Sequence, residues 1–396
     1  MKKVFFLLIC FVFLTGCWDR KELNERSIWL ATGWDVAKDG GVEISGQIVI
    51  PANVQTQGGG GGATGQGFFA ISAKGKDVRD ALQNMQTKLP REAFFGQRRV
   101  IFLGEEFAKR GIKDKLDIND RSADVSLRTD IFVIKGGTAK EIITIANPLE
   151  KSPVIATLKE HQESGGRGDT AYLNFLIAAN RDGIQPSIPS IEISTSLEGK
   201  PAGKEKSPNP KVLRLAGVSI FDKQLKMKGF LNNEENRNIL WVMGALKKMT
   251  ITIKGGDGNK SIDMRKIRSK VKPTFDKNGK PSFTVTLTGE GALTENNSGL
   301  DVTYADNLRR LEREFSKQAQ DQVQQTINKV QKDYGLDIFG FGQNLHQHHP
   351  NRWKTLKTNW DKTFTETTIT VQAKIKVKQI GMSGPSLLYR ESEIKK

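Results

Sequence analysis

Hydrophobic and polar positions change period several times along this chain, and each change predicts an element. Residues 27–51 alternate in two runs, "IWLATGWDVA" and "VEISGQIVI", on either side of Asp39-Gly40-Gly41, which reads as a hairpin. Residues 77–89 place Val78, Leu82, Met85 and Leu89 at steps of four, three and four, one face of a helix that Pro90 ends. Short apolar runs then alternate with helical ones. "RRVIFLG" and "TDIFVIKG" read as strands, while "EEFAKRGI", closed by Gly111, and "TAKEIITIAN", stopped by Pro148, read as helices. Residues 169–179 form a further helix opened by Asp169, and "SIPSIEISTS" is extended. Residues 198–210 carry three prolines, two glycines and three lysines without periodicity, which predicts a linker.

The second half opens with strands, "KVLRLAGVSIF" and "LKMKGFL", then a helix from about Asn233, then the strand "MTITIK". In "DMRKIRSKVK" the side chains sort by parity. Ile267, Ser269 and Val271 take one face, and Lys266, Arg268, Lys270 and Lys272 take the other. Asn278-Gly279 turns this strand back into "PSFTVTLTG". From Tyr304, Leu308, Leu311, Phe315, Ala319, Val323, Ile327, Val330 and Tyr334 form one stripe with steps of three and four. That predicts a helix of roughly 46 Å, at ~1.5 Å per residue, capped by Gly335. The chain closes on a strand with Ile369, Val371, Ala373, Ile375 and Val377 inward and Lys374, Lys376 and Lys378 outward. The fold class expected from this order is α+β: a multi-domain mixed α/β chain whose C-terminal antiparallel sheet is packed by one long helix. The expected division is residues 1–16 as a leader, 17–197 as an N-terminal α/β region of one or two subdomains, 198–210 as linker and 211–396 as a C-terminal α+β domain. The glycine-rich residues 53–67 form a mobile loop in this reading.

The leader rests on length. Residues 4–16 contain no charge and number 13, well short of the ~20 a bilayer-crossing helix needs. Lys2 and Lys3 precede them, and Leu14-Thr15-Gly16 stands directly before Cys17. A basic start, a short apolar middle and small residues describe an export signal. The Leu14-Thr15-Gly16-Cys17 pattern resembles a bacterial lipobox, which implies diacylglyceryl transfer to the Cys17 sulfur and cleavage before it. Trp18 suits the headgroup zone of a membrane. The other cysteine, Cys10, leaves with the leader, so no internal disulfide remains.

Charge changes the picture once more. The net charge is +17, and residues 200–280 alone hold 20 Lys and Arg against 7 Asp and Glu. On an exported, tethered protein this suits an anionic lipid surface or an acidic partner better than nucleic acid. Lys266, Arg268, Lys270 and Lys272 are the candidate contacts, together with Trp18.

Candidate chemistry is sparse. His346, His348 and His349 cluster in "HQHH", but their spacing matches no standard ligand pattern and the stretch reads as a polar turn between helices, so no metal site is assigned. No Walker loop, nucleophile elbow or His-Glu-x-x-His run occurs, and residues 53–67 lack the following helix that phosphate binding needs. No catalytic residue and no cofactor are assigned.

Three stretches combine into a resemblance. They are "CWDRKELNE", the run "LEREFSKQAQDQVQQTINKVQKDYGLDIFGFGQNLHQHHPNRWKTLKTNW" and the closing lysine-alternating strand. Together they resemble the GerC family, the lipoprotein subunit of nutrient germinant receptors in spore-forming bacteria. The most specific pieces are Cys17-Trp18-Asp19 with Glu22-Leu23, and residues 337–342, "DIFGFG". The resemblance implies a non-enzymatic subunit, lipid-anchored to the outer face of the spore inner membrane. It would work with two integral-membrane partners, the A and B subunits, and whether it touches nutrient stays open. Phe339 and Phe341 are expected in the core. A rival reading is a solute-binding lipoprotein of a transporter, which needs two similar lobes around a cleft, whereas the halves here differ in composition.

Overall fold

The structure is a computed structural model, and it describes residues 22, 25–50, 67–122, 125–145, 152–163, 172–194, 211–256, 258–381 and 389–395. The leader, Cys17, Trp18, Asp169, residues 53–66 of the glycine-rich stretch and residues 198–210 lie outside the described residues.

The first sheet is built from β1 (Arg26–Val36), β2 (Val42–Val49), β3 (Phe68–Gly75), β4 (Glu92–Phe94), β5 (Val100–Gly104), β6 (Asp130–Lys135), β7 (Ser187–Ser194), β8 (Val212–Phe221) and β9 (Met227–Leu231). Its order is β3-β2-β1-β5-β6-β7-β8-β9, with β4 beside the start of β1. The two ends are antiparallel, and the centre, β1-β5-β6-β7, is parallel. Parallel neighbours need crossovers, and helices supply them. These are α1 (Val78–Gln86), α2 (Glu105–Arg110), α3 (Asp117–Asp120), α4 (Ala139–Thr144), α5 (Pro153–Glu163) and α6 (Tyr172–Asn180). The predicted helix is present but ends at Gln86: Asp77 caps it through Asp80 N, Val78 and Met85 of the expected face are buried with Ala81, Leu82 is half-buried, and Leu89 is buried beyond the helix end.

A central strand covered on both faces must be apolar throughout. In β5, Ile101 and Leu103 enter one core with Trp29, Trp34 and Ile44, while Val100 and Phe102 enter another beneath α4 and α5. That explains why "VIFLG" shows no alternation.

The second sheet follows α7 (Asn233–Val242). It holds β10 (Met249–Gly255), β11 (Gly258–Met264), β12 (Arg268–Phe275), β13 (Pro281–Asn296) and, after the helices, β14 (Thr368–Gln379). The 16-residue β13 is its spine. β11 and β12 share one edge of it and β14 takes the other. The sheet is antiparallel except at that last edge, where β14 runs parallel to β13. Parallel neighbours need a crossover, and the connection between these two carries α8 (Ala305–Lys329) and the shorter helices after it. The expected single strand "DMRKIRSKVK" is broken at residues 265–267, where the amides of Arg265 and Lys266 both donate to Glu290 O. The long helix is also shorter than expected. It passes into a π turn, Val330–Tyr334, closed by Gly335 in the left-handed region (φ 63°), and the Tyr334 hydroxyl donates to Phe230 O at 3.0 Å.

The stripe of α8 is buried as read, from Leu311 through Val330, against Ile369, Val371, Ile375 and Val377. The helix also covers the free edge of β14. Val377 N donates to Glu312 Oε1 at 3.0 Å, Ile375 N to Ser316 Oγ at 2.9 Å and Val371 N to Gln324 Oε1 at 3.0 Å, while Gln324 Nε2 returns a bond to Ile369 O. Four helical residues rise ~6 Å and two strand residues ~6.6 Å, so side chains four apart meet amides two apart. An edge that would otherwise template foreign strands is thereby paired.

Strand pairing crosses residue 211, where the C-terminal unit is expected to start. β8 and β9 lie past residues 198–210, yet they pair in the first sheet. Val218, Ile220 and Leu231 share one core with α7, α8 and the second sheet.

Candidate functional site at the Asp337 junction and the basic sheet face

The "DIFGFG" stretch lies where the two sheets meet. It follows Gly335 and leads into α9 (Phe341–His348), α10 (Pro350–Leu356) and α11 (Trp360–Glu366). Asp337 has no exposed surface. Its Oδ1 accepts from the amides of Phe339 (3.1 Å), Gly340 (2.8 Å) and Phe341 (3.2 Å), and its Oδ2 from Gly342 N (2.8 Å) and Trp360 Nε1 (3.1 Å). One carboxylate thus satisfies the start of α9, whose orphan amides would otherwise be buried without partners. Gly340 (φ 82°) makes the turn that brings these amides together. Burial pushes the Asp337 carboxyl up to about 6, and the amides of Gly342, Phe341 and Gly340 and the Trp360 indole pull against it.

The same stretch docks onto the first unit. Gln185 N donates to Asp337 O at 2.7 Å and Gln343 N to Gly183 O at 2.8 Å. The backbones of Gly183 and Gly342 cross so closely that a Cβ on Gly183 would stand 2.3 Å from Gly342 C. Gly183 also has φ 72°, so glycine is required there twice over. Phe339 and Phe341 are core residues, as expected. Phe341 packs on Phe283 with ring centroids 4.9 Å apart and on Phe339 at 5.5 Å, and Trp360 meets Trp353 at 5.4 Å.

Beside the crossing lies a cleft of about 330 Å³ lined by Asp182, Gln185, Lys223, Trp353, Trp360 and Asp361, among others. Lys223 Nζ donates to the carbonyls of Ala178, Ala179 and Arg181, a cation on the C-terminus of α6 where the helix dipole favours it. Burial lowers its pKa, against the opposing charges of Asp182, Asp361 and Asp337.

Two of the three clustered histidines are helical, and His349 is the single residue between α9 and α10. His346 and His348 belong to α9, whose helical period separates what the sequence places together. His346 stacks on Trp353, His349 meets Phe275 edge-on, and His348 Nδ1 lies 3.0 Å from Asn344 O. Among the described residues, no group of three or more His, Cys, Asp or Glu is placed to hold a metal ion.

The second feature is the solvent face of the second sheet. Arg268, Lys270 and Lys272 are exposed on β12, and Lys266 is exposed in the break before it. The registers set Arg268 beside Thr288 and Lys374, Lys270 beside Thr286 and Gln372, and Lys272 beside Thr284 and Thr370. One row of cations on β12 therefore flanks the threonine row, and the lysines of β14 begin opposite Thr288 and continue past Glu290, about 10 Å away across two inter-strand spacings. Glu290 meets both rows, 3.2 Å from Lys266 Nζ and 3.9 Å from Lys378 Nζ, and the Lys266 bond holds its carboxyl below the usual range. The structure thus brings the four sequence-selected cations together on one face and adds Lys374, Lys376 and Lys378 of β14 to it.

Sequence reasoning marks "DIFGFG" but not what it does. The signal is present, since an aspartate with glycines three and five residues on is the pattern of a carboxylate capping its own following amides. Gly183 and Gln185 carry no such local signal, because their role exists only in the docked fold.

Comparisons with known proteins match two stretches of the chain. A family model described as "Spore germination protein N-terminal domain" matches residues 19–193, and one described as "Spore germination B3/ GerAC like, C-terminal" matches residues 216–381. Spore germination protein KC of Bacillus subtilis (strain 168) is 26% identical over 389 residues, covering 95% of this chain and 95% of that protein. Spore germination protein B3 of the same organism is 25% identical over 390 residues, covering 96% and 97%. Spore germination protein A3, also from that organism, is 26% identical over 388 residues, covering 96% and 98%. Among solved structures, the crystal structure of the GerBC protein aligns with a TM-score of 0.58 at 20% identity, covering 88% of this chain and 97% of that one. At that identity the likeness is one of fold.

Proposed function

The chain belongs to the spore germination B3/GerAC-like family, and from that premise we propose that it is the lipid-anchored, non-enzymatic subunit of a nutrient germinant receptor. The observation that carries this reading is the match of both family halves, with curated spore germination proteins alike from end to end. In this reading Leu14, Thr15 and Gly16 are recognised and removed, and Cys17 carries the diacylglyceryl group. Two acyl chains give stable anchoring where one would be marginal. Tethering confines the protein to the membrane plane and raises its effective concentration beside integral-membrane A and B subunits. The site of action is the outer face of the spore inner membrane.

The basic sheet face supports the same arrangement. Near an anionic leaflet each Lys or Arg contributes roughly 1 kcal/mol, and the effect is lost beyond a Debye length. Arg268, Lys270 and Lys272 with Lys374 and Lys376 would lie against headgroups or an acidic partner. Among the described residues, no helix is long and apolar enough to cross a membrane, and in this reading the lipid anchor bears the attachment.

Cys17→Ala is expected to move the protein from the membrane fraction of sporulating cells to the soluble fraction, with loss of acyl labelling. Detergent extracts of the unaltered strain should yield two multi-span membrane proteins with the tagged chain, and extracts of the variant far less of either. A variant that stays membrane-bound in high salt, or a tagged chain that brings down no multi-span protein, would count against the reading.

A further inference from the structure

Arg98 lies just before β5, packed between β1, α1 and α3, and only 4% of it is exposed. A guanidinium so deeply buried normally faces a carboxylate, because an unpaired charge away from water is strongly unfavourable. Here its partners are neutral. Nη1 donates to Thr32 Oγ1 at 3.4 Å, Nη2 to Asn119 Oδ1 at 3.0 Å, and the guanidinium carbon stands 5.8 Å from the Phe95 ring centre. Among the described residues, no Asp or Glu forms an ion pair with it. Two donors are left over: Arg98 Nε and Asn119 Nδ2 are both buried and without an acceptor. Asn119 is itself only 4% exposed.

Both residues line one small cavity of about 50 Å³, whose other walls include Trp34, Leu82, Ile118 and Val125. A single water needs roughly 10–15 Å³ of such space, so there is room for an acid of a few carbons. The lining joins Arg98 and Asn119, with their spare donors, and the exposed Arg79 to apolar side chains such as Trp34, Val78, Leu82 and Ile118, the complement of a carboxylate on a short hydrocarbon tail.

We propose that Arg98 and Asn119 bind a small monocarboxylate in this cavity, the anion pairing with the guanidinium and its tail lying against Trp34 and Leu82. The receptor reading is not needed for this site, and either can fail without the other. Nothing covalent is involved: the ligand supplies the missing counter-charge and the acceptor for both open donors.

The test uses full-length protein purified in mild detergent, with propionate as probe and propionamide as its uncharged match. Propionate is expected to raise the melting temperature saturably at constant ionic strength, and propionamide is not. Saturation-transfer NMR should show the propionate methyl group in contact with wild-type protein. Arg98→Met is expected to abolish both responses without lowering the melting temperature, since an apolar residue of similar volume relieves a buried charge. Asn119→Ala should weaken propionate binding about tenfold or more, the loss of one charge-assisted partner. Equal shifts from propionate and propionamide would overturn the proposal. So would an unresponsive wild type whose Arg98→Met variant loses stability, which would make Arg98 purely structural. Asp124 is the acid between the wall residues Ser122 and Val125 in sequence. A propionate response that appears only in Asp124→Asn would show that the chain supplies its own carboxylate, and would also overturn it. Should Arg98→Met fail to fold, the NMR comparison on wild-type protein decides alone.

Discussion

Replacing Asp337 by Ala is expected to lower the unfolding free energy at pH 7 by about 3–4 kcal/mol, a large loss for one side chain. Three buried amides, the half-buried Gly340 amide and the Trp360 indole lose their acceptor together. Each such group left unsatisfied costs on the order of 1–3 kcal/mol, and removal of a buried charge offsets part of the sum. Asn is no rescue, because its amide nitrogen would face Gly342 N or Trp360 Nε1 with a donor. The loss should concentrate at the junction, since Gln185 and Gln343 bond the same turn to the first unit. Urea unfolding of the purified protein measures it, and hydrogen exchange at residues 339–343 should rise ahead of the sheet cores. A change below about 1 kcal/mol would mean that the turn keeps its shape without its carboxylate.

The same residue sets a pH dependence with a definite sign. Burial raises the Asp337 carboxyl from 3.8 to about 6 in the folded protein. The folded state therefore holds a proton that the unfolded state has released between those values. This contribution to stability is fully present below pH 4 and is lost as the pH rises through 6. Asp35 acts in the same direction, raised to about 6 by burial although the amides of Ala139 and Lys140 bond it at 2.8 and 2.9 Å. The gap between wild type and Asp337→Ala should accordingly widen as the pH falls from 7 to 4.5.

The elements with strict periods are legible in the sequence. The stripe from Leu311 to Val330 and the alternation around Lys270 describe burial as it occurs. Such patterns report which face is wet, which is a local property. They do not report partners. The parallel pairing of β14 with β13 depends on the crossover through α8, and the stripe alone cannot give a strand direction. The proline-rich residues 198–210 look like a boundary, yet β8 pairs with β7 across them. Closing a longer loop costs only slightly more than closing a short one, so composition there does not decide the pairing. At the junction the glycines of "DIFGFG" are legible as a turn, while the crossing with Gly183 is not. Arg98 is the extreme case. Nothing in "GQRRV" separates it from its neighbour, and only the packing of α1 and α3 buries it.

The largest functional effect expected is on germination itself. If the chain is a receptor subunit, removing it leaves the partner membrane proteins without the component that both family halves describe. Dormancy, heat resistance and germination by agents that bypass receptors should be untouched, because in the proposed reading the chain acts only in the nutrient response. Cys17→Ala should reproduce the deletion to the extent that tethering supplies the effective concentration for assembly. Asp337→Ala should follow it to the extent that the loosened junction lowers the amount of folded protein.

The most direct test follows loss of refractility and release of dipicolinate in spores of an in-frame deletion strain that has no redundant receptor, exposed in turn to amino acids, sugars and nucleosides. The account predicts that at least one nutrient response falls to the level seen without nutrient, and that the wild-type gene restores it while the Cys17→Ala gene does not. Normal germination with every nutrient tried would contradict it.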